Sequence, residues 1–197
     1  MGGRPKALLE RDGVPLVRRV AQAMLAAGVH DVVVVLGHCA DQVAAAVAGL
    51  PIRAVVNADY AAGRSSSLRC GLAVQSGCQA VAIALADMPL LGADDVRAVL
   101  QAFGQRTAGT RALVPRYGDE RGHPVVLAAD AAREIQEHQY AAGARDWLDS
   151  HPGEVQWLDV DHARHVVDVD APEDIERIAG RYGVELCWPD PTPFNRP

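Results

Sequence analysis

Ala80-Val81-Ala82-Ile83-Ala84-Leu85-Ala86-Asp87-Met88-Pro89 is the stretch from which the fold of this 197-residue chain can be read. Its first seven residues are apolar without a polar break, so a strand over 80–86 is expected with both faces buried. Covering both faces takes a layer of helices on each side. Working outward, Val32-Val33-Val34-Val35-Leu36 is a second run without alternation, and Arg53-Ala54-Val55-Val56 a third short strand. Around them helices are expected over 14–27, 41–48, 66–75 and 94–103. In the first of these Leu16, Val17, Val20, Met24 and Leu25 recur at helical spacing, and Gly28 can close it. Strand and helix alternate, so the chain reads as a three-layer α/β/α Rossmann-like domain with a mostly parallel sheet.

The second half is less regular. Strands are expected over 112–115 and 124–127 around a charged turn at 117–122, then helices over 131–138 and 145–150. Strands over 155–160 and 165–169 follow, and a helix over 172–182 has Pro172 in its first turn. No internal repeat or linker appears, so residues 1–187 are expected to form one domain and 188–197, with four prolines, an extended or disordered tail.

Composition narrows the function classes. Apolar residues make up 49%, and the formal charge is -6 with no basic run, which argues against nucleic acid as a partner. No apolar run approaches the ~20 residues of a membrane span, and the start lacks the form of a signal peptide, so the expected location is the cytoplasm. Cys39, Cys70, Cys78 and Cys187 have neither metal-knuckle nor Cys-x-x-Cys spacing and are expected to be free thiols. His30, His38, His138, His151, His162 and His165 are scattered without metal spacing and read as surface or packing residues.

Ligands of open α/β sheets bind at the carboxyl ends of the strands. Asp87 leaves the apolar strand there, in a loop stiffened by Pro89, where a carboxylate can hold Mg²⁺; capping the next turn is its other possible role. A second acidic group, Asp168-Val169-Asp170-Ala171-Pro172-Glu173-Asp174, ends another expected strand. Alternation puts Asp168 and Asp170 on one side. Asp170 is the candidate second metal carboxylate, supported by Asp168, with helix N-capping as its alternative. Glu173 and Asp174 fit helix-end electrostatics.

Five motifs occur in one order: Gly3-Arg4-Pro5-Lys6-Ala7-Leu8-Leu9, Gly63-Arg64-Ser65-Ser66-Ser67-Leu68, Leu85-Ala86-Asp87-Met88-Pro89, Arg121-Gly122-His123-Pro124-Val125 and the acidic group at 168–174. Together with Gly143-Ala144-Arg145, this order resembles the molybdenum cofactor cytidylyltransferase branch of the molybdopterin nucleotidyltransferase family, over residues 2–182. The resemblance implies a nucleotidyltransferase fold, Mg²⁺ as cofactor, and transfer of CMP from CTP to molybdopterin with release of pyrophosphate. The acceptor protein would be a molybdenum hydroxylase apoenzyme or its chaperone.

It further implies that Gly3, Arg4 and Lys6 meet the triphosphate, and that Asp87 and Asp170 hold the metal. Ser65, Ser66 and Ser67, with Arg69 one turn on, would meet base and ribose; any of the serines can equally cap its helix. Arg64 stands where relatives often carry a small or apolar residue. Arg121 and His123 would face the acceptor, or belong to a hairpin turn with solvated charges. The family motif normally begins with a strand and a small-residue loop, neither of which precedes Gly2 here. Two explanations stand: a start upstream of Met1, or a truncated product. Loss of that strand would leave its two neighbours each with an unpaired edge. Guanylyl or other nucleotidyl transfer, and a non-catalytic cofactor-binding or delivery role, are the alternative functions.

Overall fold

The structure, a computed structural model, describes residues 4–75, 77–137, 140 and 143–189. Gly3, His138 and residues 190–197 of the expected tail therefore lie outside the described residues. The elements run in the order β1 (Glu10–Arg11), β2 (Val14–Pro15), α1 (Leu16–Ala26), β3 (Val33–Leu36), α2 (Ala40–Ala46), β4 (Arg53–Val56), α3 (Arg64–Ala73), β5 (Ala80–Ile83) and α4 (Ala93–Gly104). The second half adds β6 (Ala112–Tyr117), β7 (Glu120–Arg121), β8 (Val125–Ala128), α5 (Ala129–Glu137), α6 (Ala144–Ser150), β9 (Val155–Asp159) and α7 (Pro172–Tyr182).

The α/β nucleotidyltransferase fold expected from the sequence is the one found. β3 and β4 pair in parallel, and β9 lies parallel to β6. β8 runs antiparallel to both β5 and β6, so β5, β6 and β9 point the same way with one reversed strand among them. Side-chain alternation builds the layers. Val81 and Ile83 face α3, where Leu68 and Leu72 cover them, while Ala82 and Ala84 pack with Val20, Ala23, Met24 and Val96 of α1 and α4.

The described strands form separate pieces. β3 is bonded to β4 and β5 to β8, but β3 and β5 are not bonded to each other. Helices hold the pieces together: α3 packs on β5 through Leu72 and approaches β3 so closely that a Cβ on Gly71 would lie 3.0 Å from Val35 Cγ2. The expected burial of both strands on both faces is corrected accordingly. Val33, Val34 and Val35 are only half-buried, as are all residues of β5, and Val56 of the outer strand β4 is 63% exposed. A strand without a neighbour along one edge leaves the flanks of its side chains open to water.

A second expectation also fails. Residues 165–169 are not a strand; a 3-10 turn at Ala163–His165 leads into an extended segment outside any ladder. Its backbone instead bridges loops, with Val169 N–H donating to Asp87 O at 3.2 Å and His123 N–H to His165 O at 2.8 Å. Alternation survives without the ladder, since Val167 and Val169 are buried and Asp170 is exposed.

The chain closes on itself where Glu10 and Cys187 exchange backbone hydrogen bonds of 2.8 and 3.0 Å. Trp188, the first residue of the expected tail, packs against the cluster of Leu9, Leu16, Ile178 and Leu186. All four cysteines are free, and no described helix is long and apolar enough to cross a membrane.

Candidate active site

β5 delivers the chain to Asp87 through a loop whose next residues, Met88, Leu90 and Leu91, are buried and pin it down. Asp170 is positioned from the other side by α7. The carboxylate of Asp174 caps that helix: its Oδ2 accepts the N–H of Asp170 at 2.7 Å and of Ala171 at 2.8 Å. These N–H groups, with the nearby Arg177 guanidinium, hold the Asp174 carboxyl below the usual aspartate range. The N-cap position is Ala171, so Asp170 does not cap α7 and its own carboxylate points across the mouth.

Lys6 lies opposite, in the 3-10 turn Lys6–Leu8, with Leu8 and Leu9 buried behind it as anchors. Its Nζ is 2.7 Å from Asp170 Oδ1 and 3.7 Å from Asp87 Oδ2. One ammonium thus serves two carboxylates drawn from residues 81 and 164 positions away along the chain.

Electrostatics show that this charge balance is unfavourable. Burial pushes the Asp87 carboxyl above its ordinary range; Lys6 opposes that rise, and the negative charges of Asp168 and Asp170 add to it. Asp168 is raised as well, first by burial and then by Asp170. Lys6 pairs with two of these three carboxylates, Arg64 adds only a smaller effect on Asp168, and both Asp87 and Asp168 stay raised, a condition typical of sites built for a charged ligand. Two converging carboxylate oxygens on one cation also form the hard donor set that Mg²⁺ takes alongside water and phosphate oxygens.

The other expected site residues are distributed more widely. The Arg4 guanidinium lies over the Trp188 ring, 4.5 Å from its centroid. Ser66 is buried in a knot: its hydroxyl accepts from Asn57 Nδ2 at 2.9 Å and lies 2.8 and 2.9 Å from the carbonyls of Gly63 and Asp59. Ser67 also accepts from Asn57 Nδ2, at 3.1 Å. These two hydroxyls therefore shape the start of α3. Ser65 lies against Gly143, where φ is +63° and a Cβ would come within 3.2 Å of Leu68 Cδ2, so glycine is required there.

Arg69 lines an open cleft of about 750 Å³ with Asn57, Asp59, Cys70 and Gln136, apart from the Lys6 cluster. Arg121 pairs with Asp149 at 2.6 Å and lies over Trp157, 5.4 Å from its centroid. The Nδ1 of His123 lies 3.1 Å from the Ile83 carbonyl at the end of β5. Burial, with a smaller effect of Arg64, holds its pKa below the ordinary histidine value, so the ring is neutral at pH 7 with Nε2 as an acceptor.

Arg64 is the residue whose place the sequence did not disclose. Its charge acts on both Asp168 and His123, so the start of α3 brings a cation within electrostatic reach of the acidic mouth and of the turn at 121–123. Its position in the serine motif was visible, but its neighbours depend on how α3 packs.

Comparison with known proteins agrees with this geometry. Residues 1–155 match the MobA-like NTP transferase domain. The chain belongs to that family. The transferase is 34% identical over 183 residues to nicotine blue oxidoreductase of Paenarthrobacter nicotinovorans, covering 90% of this chain and 89% of that one. It is 33% identical over 190 residues to a probable molybdenum cofactor guanylyltransferase of Natronomonas pharaonis, covering 92% and 91%. Among solved structures, Rv0371c of Mycobacterium tuberculosis superposes with a TM-score of 0.74 at 25% identity over 90% of each chain. That protein has also been solved in complex with manganese. These relatives establish the molybdopterin nucleotidyltransferase family and a nucleotidyltransferase enzyme, and leave its cytidylyl branch unassigned.

Proposed function

We propose that this transferase moves CMP from CTP to a molybdopterin-type cofactor and releases pyrophosphate. The observation that carries the reading is Lys6 between Asp87 and Asp170 at 3.7 and 2.7 Å, an electron-rich mouth at the carboxyl end of β5. In this reaction an oxygen of the acceptor's terminal phosphate attacks the α-phosphorus, and the bond to the β-phosphate breaks. An ionised phosphate needs no general base, so the protein's task is to align the reactants and neutralise charge.

Asp87 and Asp170 would hold Mg²⁺, which when bound supplies charge neutralisation at the triphosphate oxygens. Lys6 is then released from the carboxylates to meet the triphosphate as a point charge. Arg4 turns from Trp188 toward the same phosphates, to which Gly3 is also assigned. Ser65 and Arg69 are assigned to base and ribose, with Ser66 and Ser67 fixing the helix start that carries them. His123 offers Nε2 to the acceptor, and Arg121 and Arg64 offer it positive charge. The acceptor side would pass the product to a molybdenum hydroxylase apoenzyme or its chaperone.

The test is pyrophosphate release with CTP, GTP, ATP and UTP, each with Mg²⁺ and molybdopterin cofactor. The expected result is release with CTP above the other three. Release with GTP instead would assign the guanylyl branch named in the Natronomonas relative. The 34% identity to nicotine blue oxidoreductase supports a second reading, reduction of an organic dye-like substrate, so NADH and NADPH oxidation is measured in parallel. Turnover of a nicotinamide without pyrophosphate release would replace the transferase reading. Tight cofactor binding without either reaction would make this a delivery protein.

A further inference from the structure

Away from the mouth, Asp95 in the first turn of α4 meets His162 and His165 from the loop after β9. Each offers one ligand atom, and these atoms all lie within 4.8 Å of one another. Asp95 and His165 are 5% and 1% exposed. The two imidazoles are stacked, with centroids 5.3 Å apart. From the sequence both histidines read as surface or packing residues; here His165 is buried and both converge on Asp95.

Asp95 Oδ2 is occupied by the N–H of Gly92 at 2.9 Å, while Oδ1 faces His162 Nε2 at 3.6 Å. His165 Nδ1 lies 2.8 Å from the carbonyl oxygen of His123. A carbonyl can only accept, so Nδ1 carries the proton and Nε2 keeps its lone pair. Metal-binding histidines are oriented by this kind of outer hydrogen bond. The position already holds a cation: a terminal nitrogen of Arg164 is 2.9 Å from Asp95 Oδ1 and 2.7 Å from His162 Nε2. Finally, His162 Nδ1 is buried without a hydrogen-bond partner, so packing leaves this ring incompletely satisfied.

We propose that Asp95, His162 and His165 form a binding site for a zinc-class divalent ion, which displaces the Arg164 guanidinium on entering. One carboxylate and two imidazoles suit zinc, whereas the all-oxygen mouth suits magnesium. The half-exposed Arg164 side chain can swing into solvent, and a fourth position stays open to water. The ion would act on the acceptor side, because His165 is bonded to His123 in both directions at 2.8 Å. Gly122 is so close that a Cβ there would come within 2.8 Å of His165. An ion at this site therefore clamps the turn at 121–123 onto α4. The site rests on its own ligands and does not depend on which reaction the mouth performs.

The test is calorimetric titration of the whole chain with Zn²⁺ in excess Mg²⁺, which occupies the carboxylate mouth, together with Co²⁺ as a spectroscopic probe. One ion per chain is expected, with visible Co²⁺ bands and no thiolate charge-transfer band. Loss of a ligand in His162→Ala should weaken binding by about tenfold or more. Removing the resident cation in Arg164→Ala should tighten it, a gain that a purely structural cluster would not show. Unchanged affinity in Arg164→Ala, unchanged affinity in a folded His162→Ala, a thiolate band, or no binding at all would each overturn the proposal.

Discussion

The mouth and the Arg111 cluster are both places where one cation meets several carboxylates, and they differ in how completely each charge is satisfied. Arg111 has one nitrogen for each partner: Glu134 at 2.6 Å, Glu154 at 2.8 Å and Asp130 at 3.0 Å from Nε, the last an ion pair without hydrogen-bond geometry. Glu134 also accepts the Trp147 indole N–H at 2.9 Å. That bond, and then Arg111, hold the Glu134 carboxyl below its usual range, while hydrogen bonds to Glu134 and Glu154 raise the Arg111 guanidinium. At the mouth one lysine is shared, and burial with like charge pushes Asp87 and Asp168 the opposite way. The first cluster ties β6, α5 and the start of β9 together. The second keeps its charges in an unfavourable state that a ligand can relieve.

The largest expected effect breaks the mouth. Asp87→Asn or Asp170→Asn should lower kcat for pyrophosphate release by about 10²–10³. Because Asp87 is raised by burial, its ionised form costs stability at pH 7, so Asp87→Asn should leave the melting temperature unchanged or higher without added divalent ion. A large drop in melting temperature would make the mouth a structural cluster like that of Arg111.

The reverse result is expected from Arg111→Met. It strands three carboxylates, and partial exposure reduces the cost of a broken buried pair to about 2 kcal/mol in urea unfolding. Activity per folded molecule should be retained. A smaller effect sharpens the link between cap and site: Asp174→Ala should cost about 1 kcal/mol of stability. It should also lower kcat, because the backbone of Asp170 loses its acceptor; unchanged kcat would show that Asp170 is held by Lys6 alone.

The smallest effect is a pH dependence. Glu134 has a depressed folded pKa, so its contribution is complete above the unfolded value of about 4.3 and is lost as pH falls through the folded value. Glu134→Gln should flatten that acid limb of the stability profile while leaving the limb due to other carboxylates. A profile superimposable on the wild type would remove Glu134 from the network.

Legibility followed locality. α1 could be read from its apolar period and Pro172–Tyr182 from the proline in its first turn, because neighbours along the chain carry that information. Residues 165–169 could not: Val166, Val167 and Val169 have strand propensity, but the N–H groups of Val166 and Val167 turn back to the Ala163 carbonyl, that of Val169 goes to Asp87, and His123 takes the His165 carbonyl. Asp87 and Asp170 were legible as chemistry from their positions at strand end and helix start. That Asp174 turns back to accept the Asp170 and Ala171 N–H groups, leaving the Asp170 carboxylate to Lys6, was not, since it depends on side-chain directions in space.

By itself the sequence determined the α/β class, the order of the main helices and strands up to β9, and the carboxylates that could hold a metal, because these follow from hydrophobic pattern and residue type. Tertiary structure alone decided that Lys6 is shared between Asp87 and Asp170, and that Asp95 meets two histidines from a loop some seventy residues away. Coulomb energy and ligation depend on distances of a few ångströms in space. Packing sets those distances, and sequence separation does not.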